Sequence, residues 1–194
     1  MTAGHVERPA GHLRLATERD RPALEALITR SVQGLMGDDY TPPQLESALR
    51  HIFGIDSELL RDGTYFLVEA EGELLAAGGW SRHRTLFGGD ASVAGRVEGP
   101  LLDPCVDAAR IRAFFVDPAH ARRGLGHVLF VACHDAARAH GFTRLELAAT
   151  LTGVKLYQRE GFRPLERIDI ALPDGLRFPV IRMERTIDPA VPGT

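Results

Sequence analysis

The stretch that most constrains this chain runs from residue 111 to residue 162. Ile111-Arg112-Ala113-Phe114-Phe115-Val116 is mostly apolar and ends at Asp117-Pro118. A short apolar run closed by a turn signal reads as a central strand, buried on both faces. Ala121-Arg122-Arg123-Gly124-Leu125-Gly126-His127 follows. From there Leu125, Val128, Leu129, Ala132, Ala136 and Ala139 recur at helical spacing, until Gly141 stops the helix. Residues 144–150 form the next strand, and residues 154–160 a short helix that carries Tyr157 and breaks at Gly161.

A strand that feeds a glycine-bearing helix start is a place to hold phosphates. The first helical N–H groups have no partner within the helix, and the helix dipole adds partial positive charge there. Glycine lets a diphosphate approach the backbone with no β-carbon in the way. Arg122 and Arg123 reach outer phosphates from the rim. By itself Gly-x-Gly fits a tight helix start packed on a sheet equally well. Two better-known phosphate motifs do not fit. The dinucleotide fingerprint needs a third glycine where Leu129 stands, and the nucleotide P-loop needs a lysine, whereas the one lysine of this chain is Lys155.

The rest of the chain reads as one domain with short extensions. Residues 1–11 are expected to be a loose leader, 12–188 the domain and 189–194 a tail. A strand at 13–16 precedes a helix begun near Arg21-Pro22 and capped by Asp20, with Leu24, Leu27, Ile28 and Val32 as its apolar stripe. Thr41 caps a second helix that turns Leu45, Leu49 and Ile52 inward. Residues 64–70 and 74–80 make a hairpin about Glu71-Gly72-Glu73. Residues 84–107, dense in glycine and proline, read as a long loop or insertion. Residues 162–172 and 178–187 read as a closing strand pair around Pro173-Asp174-Gly175.

Composition narrows the partners. A net charge of −3 and a pI near 6.2 argue against nucleic-acid binding. No apolar run approaches membrane-spanning length. Cys105 and Cys133 form no CxxC, which suits a reduced cytoplasmic protein. The near-exclusive use of arginine over lysine, with abundant Ala, Gly and Leu, suits a bacterial source.

Phe115-Val116-Asp117-Pro118, Arg123-Gly124-Leu125-Gly126, Gly141-Phe142, Leu156-Tyr157 and Gly161-Phe162 together resemble the Gcn5-related N-acetyltransferase (GNAT) superfamily, in order and in spacing. The resemblance implies an α/β (α+β) fold, with a mixed, mostly antiparallel sheet flanked by helices. Within it a parallel strand pair, here 111–116 and 144–150, splays apart to form an acyl-CoA slot. It implies acetyl-CoA as co-substrate, with the pantetheine arm pairing with backbone near Phe114, Phe115 and Val116, and the diphosphate on the amides of Arg122, Arg123, Gly124, Leu125, Gly126 and His127. Thr150 and Leu156 complete the expected cofactor-binding set. The motif departs from the family at Ala121, where Gln or Arg is usual, and at Thr150, where Asn is frequent, so side-chain contacts to CoA there are in question. The implied function is transfer of an acetyl group to a primary amine by direct attack on the thioester. The acceptor is a small molecule or a peptide, and a homodimer is compatible with the family. The alternative is a non-catalytic acyl-CoA-binding or regulatory module on the same fold.

Tyr157 matches the tyrosine that often protonates the leaving thiolate in this superfamily. A phenol of pKa about 10 faces a thiolate of about 8.5. The other reading is a tyrosine packed on the sheet with its hydroxyl on sulfur or water. An oxyanion donor is expected among the amides near Phe115 or Val116. The central strand offers Arg112 in place of a glutamate, so a general base must come from elsewhere: His83 first, then Glu69, Glu98 and Glu146, or an ordered water. Trp80, Arg82, Arg84 and Phe87 are expected to shape an acceptor pocket. Arginines there would suit a carboxylate or phosphate on the acceptor. Asp90, Glu98, Asp103 and Asp107 would suit a polyamine or an aminoglycoside. No metal is expected: His127 and His134 share a helix face about 10 Å apart at about 1.5 Å per residue, and His140 points elsewhere. Cys133, in mid-helix, is expected to be a buried, inert thiol.

Overall fold

The computed structural model describes residues 11–87, 89–90 and 101–187. Seven strands form one sheet in the order β1-β2-β3-β4-β5-β7-β6. They are β1 (His12–Leu15), β2 (Tyr65–Ala70), β3 (Glu73–Ser81), β4 (Ala109–Val116), β5 (Arg144–Thr150), β6 (Arg163–Ala171) and β7 (Arg177–Thr186). The helices are α1 (Arg21–Leu35), α2 (Pro42–His51), α3 (Ser57–Asp62), α4 (Leu125–Ala139) and α5 (Val154–Arg159). Every strand pair is antiparallel except β4–β5.

Helix starts and stops follow local chemistry. Thr41 and Gln44 form a capping box ahead of Pro42-Pro43, an arrangement worth about 1 kcal/mol. Asp20 does not cap α1 with its side chain. Its carboxylate instead closes a 3-10 turn with Thr17 and binds Arg14 at 2.7 Å. α4 ends where Gly141 takes φ +87° and the Phe142 N–H donates back to the Ala137 carbonyl. The helix at Ser57–Asp62 is too short to show in the apolar spacing of the sequence. Yet Asp56 caps α3 on the Leu59 amide at 3.2 Å, Arg61 lies in its last turn, and Gly63 ends it at φ +65°.

The apolar residues divide between the two faces of the sheet. On one face α1, α2 and α3 pack through Leu24, Leu27, Val32, Leu59 and Phe178. On the other, Trp80, Phe130, Cys133, Leu145, Leu147 and Met183 pack around α4 and α5. Strand alternation explains the split in β5: Leu145, Leu147 and Ala149 point to α4, while Ala148 packs on the opposite side.

The parallel pair is short. β4 and β5 are in register only at Ala109↔Leu145 and Arg110↔Glu146. Beyond Arg110 they separate. On its other edge β4 loses register with β3 between Ala77 and Gly79, because two residues, Ala113 and Phe114, stand opposite Gly78. Ala113 sits at φ +55°, a conformation that costs an L-residue about 1–2 kcal/mol. The Tyr65 hydroxyl donates to its carbonyl at 3.4 Å. The extra residue leaves Ala113 on the same side as Arg112 and so shifts the alternation by one, which sets Phe114 beside α4 and α5 and Phe115 among the α1 residues.

Candidate active site

Where β4 and β5 part, a cleft of about 640 Å³ passes through the sheet. Its middle is lined by Phe114, Phe115, Val116, Ala149, Thr150 and Tyr157. One end opens at the start of α4, with Arg122, Gly124, Leu125, Gly126, His127, Leu156 and Glu160. The other end opens between α1, the α2–α3 connection and the β6–β7 hairpin, with Leu35, Met36, Phe53, Ile170 and Phe178.

The α4 end is built by backbone. Arg122 adopts φ +62° and Gly124 φ +84°, which turn the chain from the 3-10 turn at Pro118–His120 into the helix. A β-carbon on Gly124 would meet no atom within 4 Å, so that position is open to the cleft. A β-carbon on Gly126 would lie 2.9 Å from Leu156 Cδ2, so glycine there lets α5 close on α4. The amides at this helix start lack intrahelical acceptors and carry the positive end of the dipole. Cations surround the opening: Arg122, Lys155 and Arg159 line it. Arg123, expected with them, is exposed just outside the lining. His127 lies 2.9 Å through Nδ1 from Glu160.

Tyr157 is the buried residue of α5, its ring 6.0 Å from that of Phe114 and 5.7 Å from that of Phe162. Burial pushes its phenol well above the ordinary value, and the neighbouring Cys133 thiol adds to the rise. The hydroxyl therefore keeps its proton throughout the working pH range. Thr150 lines the cleft and turns its hydroxyl back onto the Gly153 amide at 3.2 Å, which starts the turn into α5. The Val116 amide, expected to meet the acyl arm, donates to Ser31 Oγ at 3.1 Å. Ser31 is the polar residue in the buried stripe of α1, and it too lines the cleft.

The expected bases lie elsewhere. His83 is outside the lining, with Nε2 2.9 Å from Asp62 and Nδ1 3.6 Å from Glu58, at the far end of β3. Glu69 pairs with Arg14 across β1 and β2, and this contact holds its carboxyl below the ordinary range. Glu146 is pinned between Arg110 and Arg182; burial raises its carboxyl, but the two guanidinium groups outweigh this and leave it lowered. Glu98 lies outside the described residues. Arg112 lines the cleft yet aims its guanidinium away, 2.5 Å from Asp56 and 2.8 Å from Glu58. Burial lifts the Asp56 carboxyl to about 6 despite that arginine.

Trp80 corrects an expectation. It is 1% exposed and faces α4, against His140 at 4.8 Å and Phe142 at 6.1 Å, because strand alternation sends it to the face opposite Ser81. Arg82 and Arg84 lie 3.9 Å from Asp62 and 3.8 Å from Asp107, outside the cleft. Asp90 binds Ser57, and Asp103 and Asp107 bond one another. Phe87 does line the cleft, as does Leu86. Their segment is tied down by Gly89 N–H donating to the Ile52 carbonyl and Asp90 N–H to that of Ile55. Ser31, Leu35, Met36, Phe53, Lys155, Arg159, Ile170 and Phe178 were not foreseen, since no local motif marks residues that meet only through the fold.

Cys133 is fully buried and burial raises its thiol, while Cys105 is exposed; both are free. His134 pairs with Asp135, and His140 with the Ala136 carbonyl. Among the described residues, no three His, Cys, Asp or Glu side chains approach closely enough to share a metal ion. No helix among them is long and apolar enough to cross a membrane.

A sheet that splays at one parallel pair, with a glycine-turned helix start beside the gap, defines an acyltransferase class of fold. The chain belongs to the acetyltransferase (GNAT) family, whose profile matches residues 29–162. No match was found among curated proteins. Solved structures show the same fold. A GCN5-related N-acetyltransferase from Rhodopseudomonas palustris superposes with a TM-score of 0.70 at 18% identity, covering 94% of this chain and 99% of that one. PaiA N-acetyltransferase from Thermoplasma acidophilum, in complex with coenzyme A, gives 0.61 at 12% identity, covering 91% and 99%. YncA from Salmonella typhimurium, with its cofactor acetyl-CoA, gives 0.60 at 16% identity, covering 95% and 98%.

Proposed function

We propose that this chain is an acetyl-CoA-dependent N-acetyltransferase that acts on a primary amine by direct attack on the thioester. The observation that carries the reading is the cleft through the sheet, which brings a cationic, glycine-turned helix start and a buried tyrosine to the β4–β5 gap. The residues fit the co-substrate. Open main chain at Gly124 and the amides before Val128 suit a diphosphate, with Arg122, Lys155 and Arg159 at the rim. The gap beside Phe114 and Phe115 suits a narrow acyl arm. Ser31 shares the Val116 amide with that arm or yields it on binding.

Tyr157 holds a proton beside the place where a thiolate would leave. Its raised pKa makes outright transfer uphill toward a thiolate in water. In the desolvated gap the thiolate is itself destabilised, so a hydrogen bond or proton from the phenol has most effect there. The amine loses its proton to water, because no described carboxylate lines the acceptor end. Free thiols suit a reducing, cytoplasmic setting, and the catalytic unit is read as residues 12–188.

The test is release of free CoA thiol from acetyl-CoA in the presence of an amine panel, with binding of acetyl-CoA followed by calorimetry. Tyr157→Phe should lower turnover about 100-fold or more while the dissociation constant for acetyl-CoA holds. An unchanged rate removes Tyr157 from the reaction. Tight binding with no thiol release from any amine would make the protein a non-catalytic acyl-CoA-binding module.

A further inference from the structure

We infer that the acceptor is a small primary amine carried on an uncharged, apolar and preferably aromatic body, a conclusion that rests on the acetyl-transfer reading. The end of the cleft away from α4 is walled by Leu35, Met36, Phe53, Phe87, Ile170 and Phe178. The Phe53 ring stands edge-on to Phe115 at 5.9 Å and to Phe178 at 5.5 Å, and Phe178 stacks on Tyr40 at 4.1 Å. Phe178 is itself fully buried and backs the wall, so Phe53 and Phe87, both half-buried, are the rings left to meet a further ring.

Charge argues the same way. Among the described lining residues the one carboxylate is Glu160, and it belongs to the opposite opening, beside His127. A polyamine or an aminoglycoside carries extra ammonium groups that would find no carboxylate in the described lining of this end, and Asp39, outside the lining, already accepts from the Thr152 hydroxyl at 2.6 Å. A carboxylated or phosphorylated acceptor needs a guanidinium, and the one at this end, on Arg112, is already held by Asp56 and Glu58 with its side chain 3% exposed. The arginines and acids of the 84–107 segment that would have suited either charged class pair outside the cleft where the structure describes them. Apolar walls also serve the chemistry. They disfavour the ammonium form of a bound amine and so lower its pKa, which supplies the neutral nucleophile where no base stands. The cleft of about 640 Å³ must hold the acyl arm as well as the acceptor, which favours a small acceptor.

The experiment compares phenethylamine, spermidine, glutamate and a peptide with N-terminal phenylalanine as acceptors in the thiol-release assay. Calorimetry of phenethylamine on the CoA-loaded protein runs alongside. The expected result is a kcat/KM for phenethylamine at least 100-fold above those for spermidine and glutamate, and above that for the peptide. Leu35→Glu and Phe53→Glu should each shift the phenethylamine-to-spermidine ratio at least tenfold toward spermidine; Leu35→Glu leaves the ring cluster intact should the other variant fail to fold. Preference for spermidine, glutamate or the peptide, or a ratio unmoved by a folded variant, overturns the inference and leaves acetyl transfer standing. Phenethylamine that binds the CoA-loaded protein without thiol release keeps the pocket assignment and overturns acetyl transfer. Neither binding nor turnover of phenethylamine overturns the inference outright.

Discussion

Gly78→Ala tests whether the bulge in β4 shapes the cleft. Gly78 lies on β3 opposite the extra residue of β4, and the Phe114 ring lies flat over it. A β-carbon there would stand 2.6 Å from both Cδ2 and Cε2 of Phe114 and 3.0 Å from Cγ. Three ring atoms meet it at once, so rotating the ring gives no relief. To regain ordinary carbon contact of about 3.5–4.0 Å the ring must withdraw roughly 1 Å. Withdrawal toward Tyr157, whose ring centroid is 6.0 Å off, would take up space in the gap. Overpacking of this kind costs about 1–3 kcal/mol, which for a chain of this size lowers the Tm by about 2–12 °C. Narrowing the gap should also weaken acetyl-CoA binding about tenfold or more. Thermal unfolding and calorimetry read the two effects. Gly37→Ala, where a β-carbon meets nothing within 4 Å, is the neutral control, and Phe114→Leu should restore part of both losses in the Gly78→Ala background. Wild-type Tm and wild-type affinity in Gly78→Ala would refute the argument that this ring sets the width of the gap.

Gly124→Ala separates backbone strain from packing: φ is +84° and the added methyl meets no neighbour, so differential scanning calorimetry should show a loss of about 1–2 kcal/mol. The same methyl caps the open main chain, so acetyl-CoA affinity should fall with it. Asp56 predicts a pH dependence. Its carboxyl is raised to about 6 by burial, so the folded state favours the protonated form. The associated stability is full below the ordinary value of about 3.9 and is lost as pH rises through about 6, at most roughly 3 kcal/mol for two units. In urea titrations from pH 4 to 7, wild type should lose stability relative to Asp56→Asn; a constant difference across that range would show that Asp56 does not titrate as described.

Much of the fold was written locally. The run 111–116, the stripe of α4 and the stop at Gly141 each follow from residue spacing, and the elements they specify stand where expected. α3 was legible too, in Asp56, Glu58, Arg61 and Gly63, but is short enough to pass as loop. The cationic, glycine-turned end of the cleft was visible for the same reason, since a glycine turn and the helix start it feeds are adjacent in sequence. Tyr157 was placed by its spacing to Gly161 and Phe162, and it does line the gap.

The end of the cleft away from α4 was not legible, because its walls come from α1, the α2–α3 connection and the β6–β7 hairpin, segments far apart along the chain. Nor could the sequence say which charged side chains had already found partners. Arg112 and Glu146 looked available for chemistry until the sheet set them against Asp56, Glu58, Arg110 and Arg182. Backbone elements answer to neighbours within a few residues, so the chain alone determined them. Charge pairing and the sidedness of a strand depend on which distant segment lands opposite, and only the assembled sheet decided that Trp80 is core and Phe53 is wall.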